Sequence, residues 1–297
     1  TLSMKSRFFE KVKPFLYLAP FIVGVTIFTL YPIVNVVKMS LMENYKYLTG
    51  DFTGYGFGNF KTVIEDQYFR QAMGNTLKYV AVVIPISTCL AVVIATLLNS
   101  IKKFQALLQT AYFLPMVTSV TAVGLAWRFM FNYKQGVINY VLSLFGVPAI
   151  DWLGATASNF SALCVYGIWA ILPFTIILLV SGLQNIDPMY YTAAKVDGAK
   201  PLRIFFRITI PLLAPTIFLV LTVNCISCFK VYNELFPLFA GPGIAYNLFT
   251  VVYYIYYEFR VLTPAKYGLA AAAALMLFGV IFVVNMLKSF VEKKLSN

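Results

Sequence analysis

Six long runs of apolar residues alternate with short polar segments along the chain. None of these runs contains a charged residue, and each reaches the roughly 20 residues that a helix needs to cross the hydrocarbon core of a membrane. They cover residues 14–37, 79–98, 104–127, 152–186, 208–229 and 267–287. The pattern predicts an all-α integral membrane protein with six transmembrane helices.

A seventh uncharged run, residues 235–257, has features that argue against another span. The triplet Gly241-Pro242-Gly243 interrupts any helix there. The run ends in Tyr253-Tyr254-Ile255-Tyr256-Tyr257, and tyrosine is enriched where a protein meets the membrane–water interface. We therefore expect a connection on the outer face that contains a short interfacial helix.

Composition agrees with a membrane protein and narrows the chemistry. Of the 297 residues, 60% are hydrophobic and 11% are charged, against about 25% charged in soluble domains. The chain contains no histidine, which excludes imidazole bases and imidazole metal ligands. Cys225 and Cys228 form a C-x-x-C inside an apolar run, where core packing is the expected role. We expect no metal site, and the sparse carboxylates make a membrane-embedded enzyme a remote alternative.

The distribution of basic residues predicts the orientation in the membrane. With six spans, thirteen Lys and Arg residues lie on the side of the two termini and six on the other side. Basic loops stay in the cytoplasm, so both termini are expected to be cytoplasmic. The formal charge of +12 then reflects topology, without any sign of nucleic-acid binding. The predicted organisation is a cytoplasmic tail (1–13), a transmembrane domain in contact with lipid (14–290) and a second cytoplasmic tail (291–297).

The cytoplasmic loop 184–209 is longer than two spans need for their connection. Asp187 is placed to cap a helix that has Pro188 at its first position. Gly198 is suited to the left-handed conformation that ends such a helix, and Pro201 to the start of the next one. The loop is therefore predicted to form a helix–turn–helix.

The motifs of this loop resemble those of a known family. Thr192-Ala193-Ala194 is followed by Asp197-Gly198-Ala199 and then by Ile208-x-Ile210-Pro211. The series resembles the cytoplasmic loop of ABC-importer permeases. Further agreements make the chain similar to the carbohydrate-uptake branch, in its maltose- and glycerol-phosphate-permease-like first-subunit type. They are Tyr31-Pro32, Gly74-Asn75-Thr76, Phe113-Leu114-Pro115, Trp152-Leu153, Gly182-Leu183-Gln184-Asn185-Ile186 and Tyr267-Gly268-Leu269-Ala270.

The resemblance implies a bacterial cytoplasmic-membrane protein with several partners. These are a second, different permease, two ATP-binding subunits and an extracytoplasmic solute-binding protein. The loop is implied to dock on an ATPase subunit, which binds ATP and Mg, because this chain has no P-loop and is expected to hold no cofactor. Thr192 stands where the family usually has Glu. The implied coupling residues are Thr192, Ala193, Ala194, Asp197, Gly198 and Ala199.

Polar residues at the end of the fifth run are candidates for a substrate path. Such groups are costly near hydrocarbon and usually face a cavity or pair with each other. The candidates are Asn224, Ser227, Lys230, Tyr232, Asn233 and Glu234, with Tyr166 and Trp169 of the fourth run as aromatic walls. Structural roles are open alternatives: hydrogen bonds between helices, a Lys230–Glu234 ion pair and ordinary aromatic packing.

Together with the resemblance, these features predict a permease, and not an enzyme, for ATP-driven import of a sugar or oligosaccharide by alternating access. A permease for another small solute, such as an amino acid or a phosphate ester, is the nearer alternative. A secondary transporter is a more distant one, because coupling ions are usually bound by carboxylates within the membrane, and none of the six runs contains Asp or Glu.

Overall fold

A computed structural model describes residues 4–101, 110 and 116–296 of the chain. Within these residues the fold is helical apart from one short antiparallel pair of strands, Met42–Glu43 and Gly54–Tyr55, in which Met42 lies opposite Tyr55. The α-helices are Met4–Val25, Tyr31–Leu41, Gly58–Glu65, Gln67–Ser100, Val120–Met130, Val137–Leu144, Asn159–Gln184, Pro188–Val196, Pro201–Ile204, Ile210–Phe229, Leu235–Phe239, Val251–Tyr256 and Tyr267–Ser296. The π-helical turns are Thr26–Leu30, Phe205–Thr209 and Tyr257–Val261, and Ile244–Tyr246 is a 3₁₀ turn.

Five apolar helical stretches in the described residues are long enough to cross a membrane. They are Lys13–Leu41, Gln67–Ser100, Asn159–Gln184, Pro201–Phe229 and Tyr267–Lys294, called here the first, second, fourth, fifth and sixth spans. They confirm five of the six predicted runs. The predicted third span, 104–127, lies partly outside the described residues, as does its motif Phe113-Leu114-Pro115; its end belongs to the apolar helix Val120–Met130.

Two spans contain a π-helical turn immediately before a proline. The N–H of Tyr31 bonds to the carbonyl of Thr26, and that of Ile210 bonds to Phe205, each five residues back. Pro32 and Pro211 follow these residues and have no N–H to donate. Local π-helical adjustments of this kind allow a membrane helix to accommodate a proline and continue.

The predicted outer connection contains no long helix within its described residues. It forms the short helices Leu235–Phe239 and Val251–Tyr256, separated by the turn at Gly241 and Gly243. Both glycines have positive φ, +141° and +76°. A backbone in this conformation cannot continue a right-handed helix, so run 235–257 does not form a seventh span.

The chain divides into two compact units. One comprises the residues up to Asp66 together with Ile255–Met276, and the other comprises Gln67–Tyr254 together with Leu277 onwards. In the second unit, the second, fourth and fifth spans pack on one another around a buried core. Its members are Ala91, Val92, Ala95, Leu98, Ile176, Leu179, Val180, Leu183, Leu213 and Val220. Small residues let the helices approach closely: a Cβ on Gly182 would lie 2.5 Å from Oγ1 of Thr216.

In the first unit, the start of the sixth span packs on the segment that follows the first span. Asn59 donates hydrogen bonds to the carbonyls of Ser40 and Met42, at 2.9 and 2.8 Å. A Cβ on Gly268 would lie 2.8 Å from Nδ2 of Asn59 and 3.0 Å from the Met42 carbonyl oxygen. The glycine of the Tyr267-Gly268-Leu269-Ala270 motif is therefore required by this close approach.

Candidate translocation path and coupling loop

The loop 184–209 folds as the predicted helix–turn–helix. Oδ1 of Asp187 accepts the N–H of Met189 at 2.8 Å and caps the helix Pro188–Val196. Gly198 ends this helix with φ of +73°, and the N–H of Ala199 returns to the carbonyl of Ala194 at 2.9 Å. The second helix begins at Pro201 and continues through the π-helical turn into the fifth span. The second helix of the loop and the fifth span therefore form one continuous stretch of helical backbone.

Exposure separates the candidate coupling residues into two groups. Thr192, Ala193, Asp197 and Gly198 are exposed, whereas Ala199 is half-buried and Ala194 is buried at 7% exposure. The small side chain of Ala194 therefore serves the packing of the loop within this chain. Large apolar side chains beside the exposed group also face outward: Met189, Tyr190 and Val196 are 71, 55 and 83% exposed.

Asn224 of the fifth span is bonded to the fourth span. Its Nδ2 donates to Oγ1 of Thr175 at 3.0 Å, and its Oδ1 lies 3.4 Å from the same hydroxyl. Both side chains are buried, with exposures of 2 and 0%. This is the arrangement expected of hydrogen bonds that join membrane helices.

The other polar candidates on and after the fifth span are more accessible. The helix ends at Phe229, and Ser227, Lys230 and Asn233 are exposed. The Glu234 carboxylate accepts the N–H of Tyr232 at 3.1 Å, and both residues are half-buried. Among the residues that the structure describes, Lys230 and Glu234 form no ion pair. The accessible polar groups of this stretch are thus grouped where the fifth span ends.

Tyr166 and Trp169 belong to an aromatic cluster with Trp127. The ring centroids of Trp127 lie 5.9 Å from Tyr166 and 5.3 Å from Trp169. Tyr166 is 3% exposed, while Trp169 is half-buried. Contact distances and burial of this kind are typical of packing, and Trp169 offers the more accessible ring.

A polar network that the sequence did not reveal ties the predicted outer connection to the second span. Nδ2 of Asn75 donates to the carbonyls of Asn247 and Phe249, at 2.9 and 3.0 Å. Oγ1 of Thr76 accepts the N–H of Val251 at 3.1 Å. The Gly74-Asn75-Thr76 motif had marked the family resemblance, but its partners lie more than 170 residues away. Pairing at that separation leaves no local signal in the sequence.

A cleft of about 860 Å³ lies in the first unit, between residues 44–49 and 262–269. The rings of Tyr47 and Tyr267 stack there with centroids 4.9 Å apart, and Lys46 and Lys266 contribute to the lining. None of the predicted substrate-path residues lines this cleft.

The cysteines and carboxylates of the described residues form no metal cluster of three or more ligands. All four cysteines are free thiols, and Cys225 and Cys228 are both buried. The two cysteines of the C-x-x-C are therefore buried, unlinked side chains of one helix, in agreement with a role in core packing.

The long apolar spans define a multi-pass membrane protein. The model of the binding-protein-dependent transport system inner membrane component family matches residues 87–297. The chain belongs to this family, whose members are transport components and not enzymes.

Curated relatives match almost the whole chain. The arabinooligosaccharides transport system permease protein AraP of Halalkalibacterium halodurans is 31% identical over 93% of this chain and 86% of its own length. The trehalose/maltose transport system permease protein MalF of Thermococcus litoralis is 27% identical over 93 and 92%. The lactose transport system permease protein LacF of Rhizobium radiobacter is 29% identical over 98 and 97%. These relatives confirm the resemblance to permeases of the carbohydrate-uptake branch.

A solved structure confirms the fold class. A chain of a bacterial alginate ABC transporter, crystallised in complex with an alginate pentasaccharide-bound periplasmic protein, superposes with a TM-score of 0.81. The match covers 98% of this chain and 99% of that one, at 24% sequence identity. The all-α permease architecture is therefore shared over essentially the whole length.

Proposed function

We propose that this chain forms part of the membrane path of an ATP-driven importer for an oligosaccharide or a sugar derivative. The observation that carries the proposal is the capped helix–turn–helix that runs without interruption into the fifth span. An ATPase subunit bound to this loop could tilt the fifth span as a rigid body. The accessible polar residues lie at the opposite end of the same span.

The proposed assembly contains a second, different permease, two ATP-binding subunits and a solute-binding protein outside the membrane. The family is dependent on a binding protein, and a periplasmic protein is part of the alginate transporter complex. ATP and Mg are assigned to the ATPase subunits. Both termini and loop 184–209 face the cytoplasm, as the excess of basic residues on that side indicates.

The proposed solute contacts are Asn233, Ser227 and the accessible ring of Trp169. A saccharide presents hydroxyl groups at its edge and C–H groups on its faces, so its recognition combines hydrogen-bonding side chains with aromatic planes. Asn224 and Tyr166 are assigned to the wall that supports these contacts, because both are buried in contacts within the chain. Lys230, Tyr232 and Glu234 would shape the outer mouth.

The test is uptake by the assembled transporter. The complex would be purified through a tag on this chain, its subunits identified by mass spectrometry, and the whole reconstituted with its binding protein in liposomes. Labelled arabino-oligosaccharides, maltose and lactose would be offered beside an amino acid and glycerol 3-phosphate. We expect ATP-dependent uptake of a saccharide. Uptake of only the amino acid or the phosphate ester, or uptake without ATP, would overturn the proposal.

A further inference from the structure

Lys288 of the sixth span reaches across to the fifth span. Its Nζ donates to the carbonyl oxygen of Phe218 at 3.0 Å and to the hydroxyl oxygen of Thr222. It also lies 3.6 Å from the carboxylate of Glu292, one turn along its own helix. An ammonium group has three N–H donors, and two of them have acceptors on the fifth span, while the Glu292 carboxylate is close enough for an ion pair. The side chain is 20% exposed, so these contacts replace most of its water.

A second contact lies one turn away on the same helix face. Nδ2 of Asn285 donates to the carbonyl of Ile281 at 2.9 Å and lies 3.8 Å from Sγ of Cys225. Residue 285 thus contacts residue 225, and residue 288 contacts residues 222 and 218. The residue numbers increase along the sixth span while those of the contacted residues decrease along the fifth, as expected for neighbouring antiparallel helices. Asn285 and Lys288 therefore form a continuous polar seam, rather than one chance contact.

The seam has a clear energetic consequence. An ammonium group without partners is among the costliest side chains to hold at the depth of a membrane span. If the fifth and sixth spans separated, Lys288 would lose both of its hydrogen-bond acceptors and keep only the ion pair with Glu292. The Phe218 carbonyl would lose one of its donors and keep the hydroxyl of Thr222. Separation at this point is therefore disfavoured, whereas no hydrophobic driving force holds purely apolar helix faces together in lipid.

We propose that Lys288 is a positioning residue that clamps the sixth span to the fifth, so that both move together when loop 184–209 moves. The fifth span is continuous with the second helix of that loop, and Lys288 is hydrogen-bonded to the span at Phe218 and Thr222. A displacement of the loop at Pro201 is then passed to the sixth span through these hydrogen bonds. The inference rests on the proposed function only in assigning the loop to contact with the ATPase.

The first experiment compares Lys288→Met with Lys293→Met in the assembled, reconstituted transporter. Methionine keeps much of the length of the side chain and removes its donors, and Lys293 is an exposed lysine of the same helix. We expect Lys288→Met to lower solute import per ATP hydrolysed by on the order of tenfold while ATP hydrolysis continues. Lys293→Met should leave both unchanged. Thr222→Val, which removes one acceptor, should give a smaller loss and serves if Lys288→Met fails to assemble.

The second experiment replaces the clamp by a covalent bond. Asn285→Cys would face the native Cys225 in a chain whose other three cysteines are changed to serine or alanine. Oxidation should join the two spans, and the bond can be detected by loss of thiol alkylation without any solute. If the spans move together, oxidised and reduced forms of this variant should import at the same rate. In the Lys288→Met background, oxidation should restore import per ATP, and a reductant should reverse the gain.

Several outcomes would overturn the proposal. They are arrest of import by the disulfide between position 285 and Cys225 while Lys288 is intact, full coupling in Lys288→Met, or no rescue by oxidation. Cross-linking yield with and without ATP gives a readout that does not depend on the solute. It should stay constant when Lys288 is intact and fall during ATP turnover in the Lys288→Met background. A transporter that imports no saccharide but shows this difference would refute the proposed solute class and leave the clamp supported.

Discussion

Asn159 and Asn247 bond to each other through both ends of their side-chain amides. Nδ2 of Asn159 donates to Oδ1 of Asn247 at 2.9 Å, and the reverse bond is 2.7 Å. Asn247 also donates to the carbonyl of Thr156, at 3.1 Å, while its own carbonyl accepts from Asn75. One residue of the outer connection therefore joins the beginnings of the second and fourth spans.

We predict that Asn159→Ala and Asn247→Ala each lower the free energy of unfolding by about 1–3 kcal/mol, because each leaves a partner amide unpaired. The double variant should lose clearly less than the sum of the two, since the second change removes a group that has already lost its partner. Thermal unfolding of the detergent-solubilised protein measures all three. Strictly additive losses would show that the pair contributes no coupling.

Gly198→Val is predicted to uncouple ATP hydrolysis from import. Gly198 has φ of +73° and no heavy atom within 4 Å of its Cβ position, so the cost is that of the left-handed backbone, about 1–2 kcal/mol. Gly146 has φ of +75° and equally open surroundings, but it lies in a different loop. Gly146→Val is therefore the matched control and should keep normal import per ATP. If both variants couple ATP hydrolysis to import equally well, Gly198 does not belong to the ATPase contact.

Thr192→Ala should lower import per ATP only slightly, since Thr192 carries no charge that could pair with the ATPase subunit.

Asn233→Leu is predicted to lower saccharide import and solute-stimulated ATP hydrolysis without lowering the amount of protein in the membrane. Its side chain is exposed, so folding does not depend on it. Asn224→Leu should instead lower stability and membrane abundance, because the buried Thr175 hydroxyl oxygen loses the N–H donor from the fifth span and keeps only its own bond to the Ile171 carbonyl. Uptake assays and immunoblots of the membrane fraction distinguish the two effects. Unchanged uptake in Asn233→Leu would exclude this residue from the path.

We predict that position 294 faces the cytoplasm and that position 46 faces the outside of the cell. Lys46 and Lys294 are both exposed, so a cysteine at either position can react with a membrane-impermeant maleimide. On a cysteine-free background, intact cells should be labelled at position 46 only, and broken cells at both. Labelling of position 294 in intact cells would contradict a cytoplasmic C-terminus.

The connection before the sixth span is predicted to weaken as the pH rises. Burial raises the pKa of Glu258 above its ordinary value; the Lys266 ammonium, 4.0 Å from Oε2, lowers it, and Asp66 raises it. Glu258 is 4% exposed, and Oε2 has no hydrogen-bond donor in the described part of the chain. The folded state therefore holds this proton more tightly than the unfolded state does.

The contribution of Glu258 to stability should accordingly be greatest below pH 4.5, the ordinary pKa, and should be lost as the pH rises through the higher pKa of the folded state. Glu258→Gln should remove this part of the pH dependence and raise the melting temperature at neutral pH. Glu65→Gln, at an exposed carboxylate of the same unit, is the control. Melting curves of the variants across the pH range provide the measurement, and a steeper decline in Glu258→Gln would contradict the assignment.

Local features of the sequence predicted the spans and the turns of this protein. The length of an uncharged apolar run is enough to predict a helix that can cross a membrane. Asp187 and Gly198 affect the hydrogen bonds of backbone groups only a few residues away. The same reasoning separated run 235–257 from the spans, because the conformation of its glycines is a local property. Predictions from such local features do not require knowing which helices pack against each other.

The roles of the polar side chains were decided by the packing of the helices. Asn224 is committed to Thr175, 49 residues away, and Lys288, which looked like one more cytoplasmic cation, donates to the fifth span. Asn75 finds its acceptors more than 170 residues along the chain. In hydrocarbon an apolar helix face has no strong preference between lipid and protein, so the sequence of one span does not reveal which helix will face it. Only the packed structure brings donor and acceptor together.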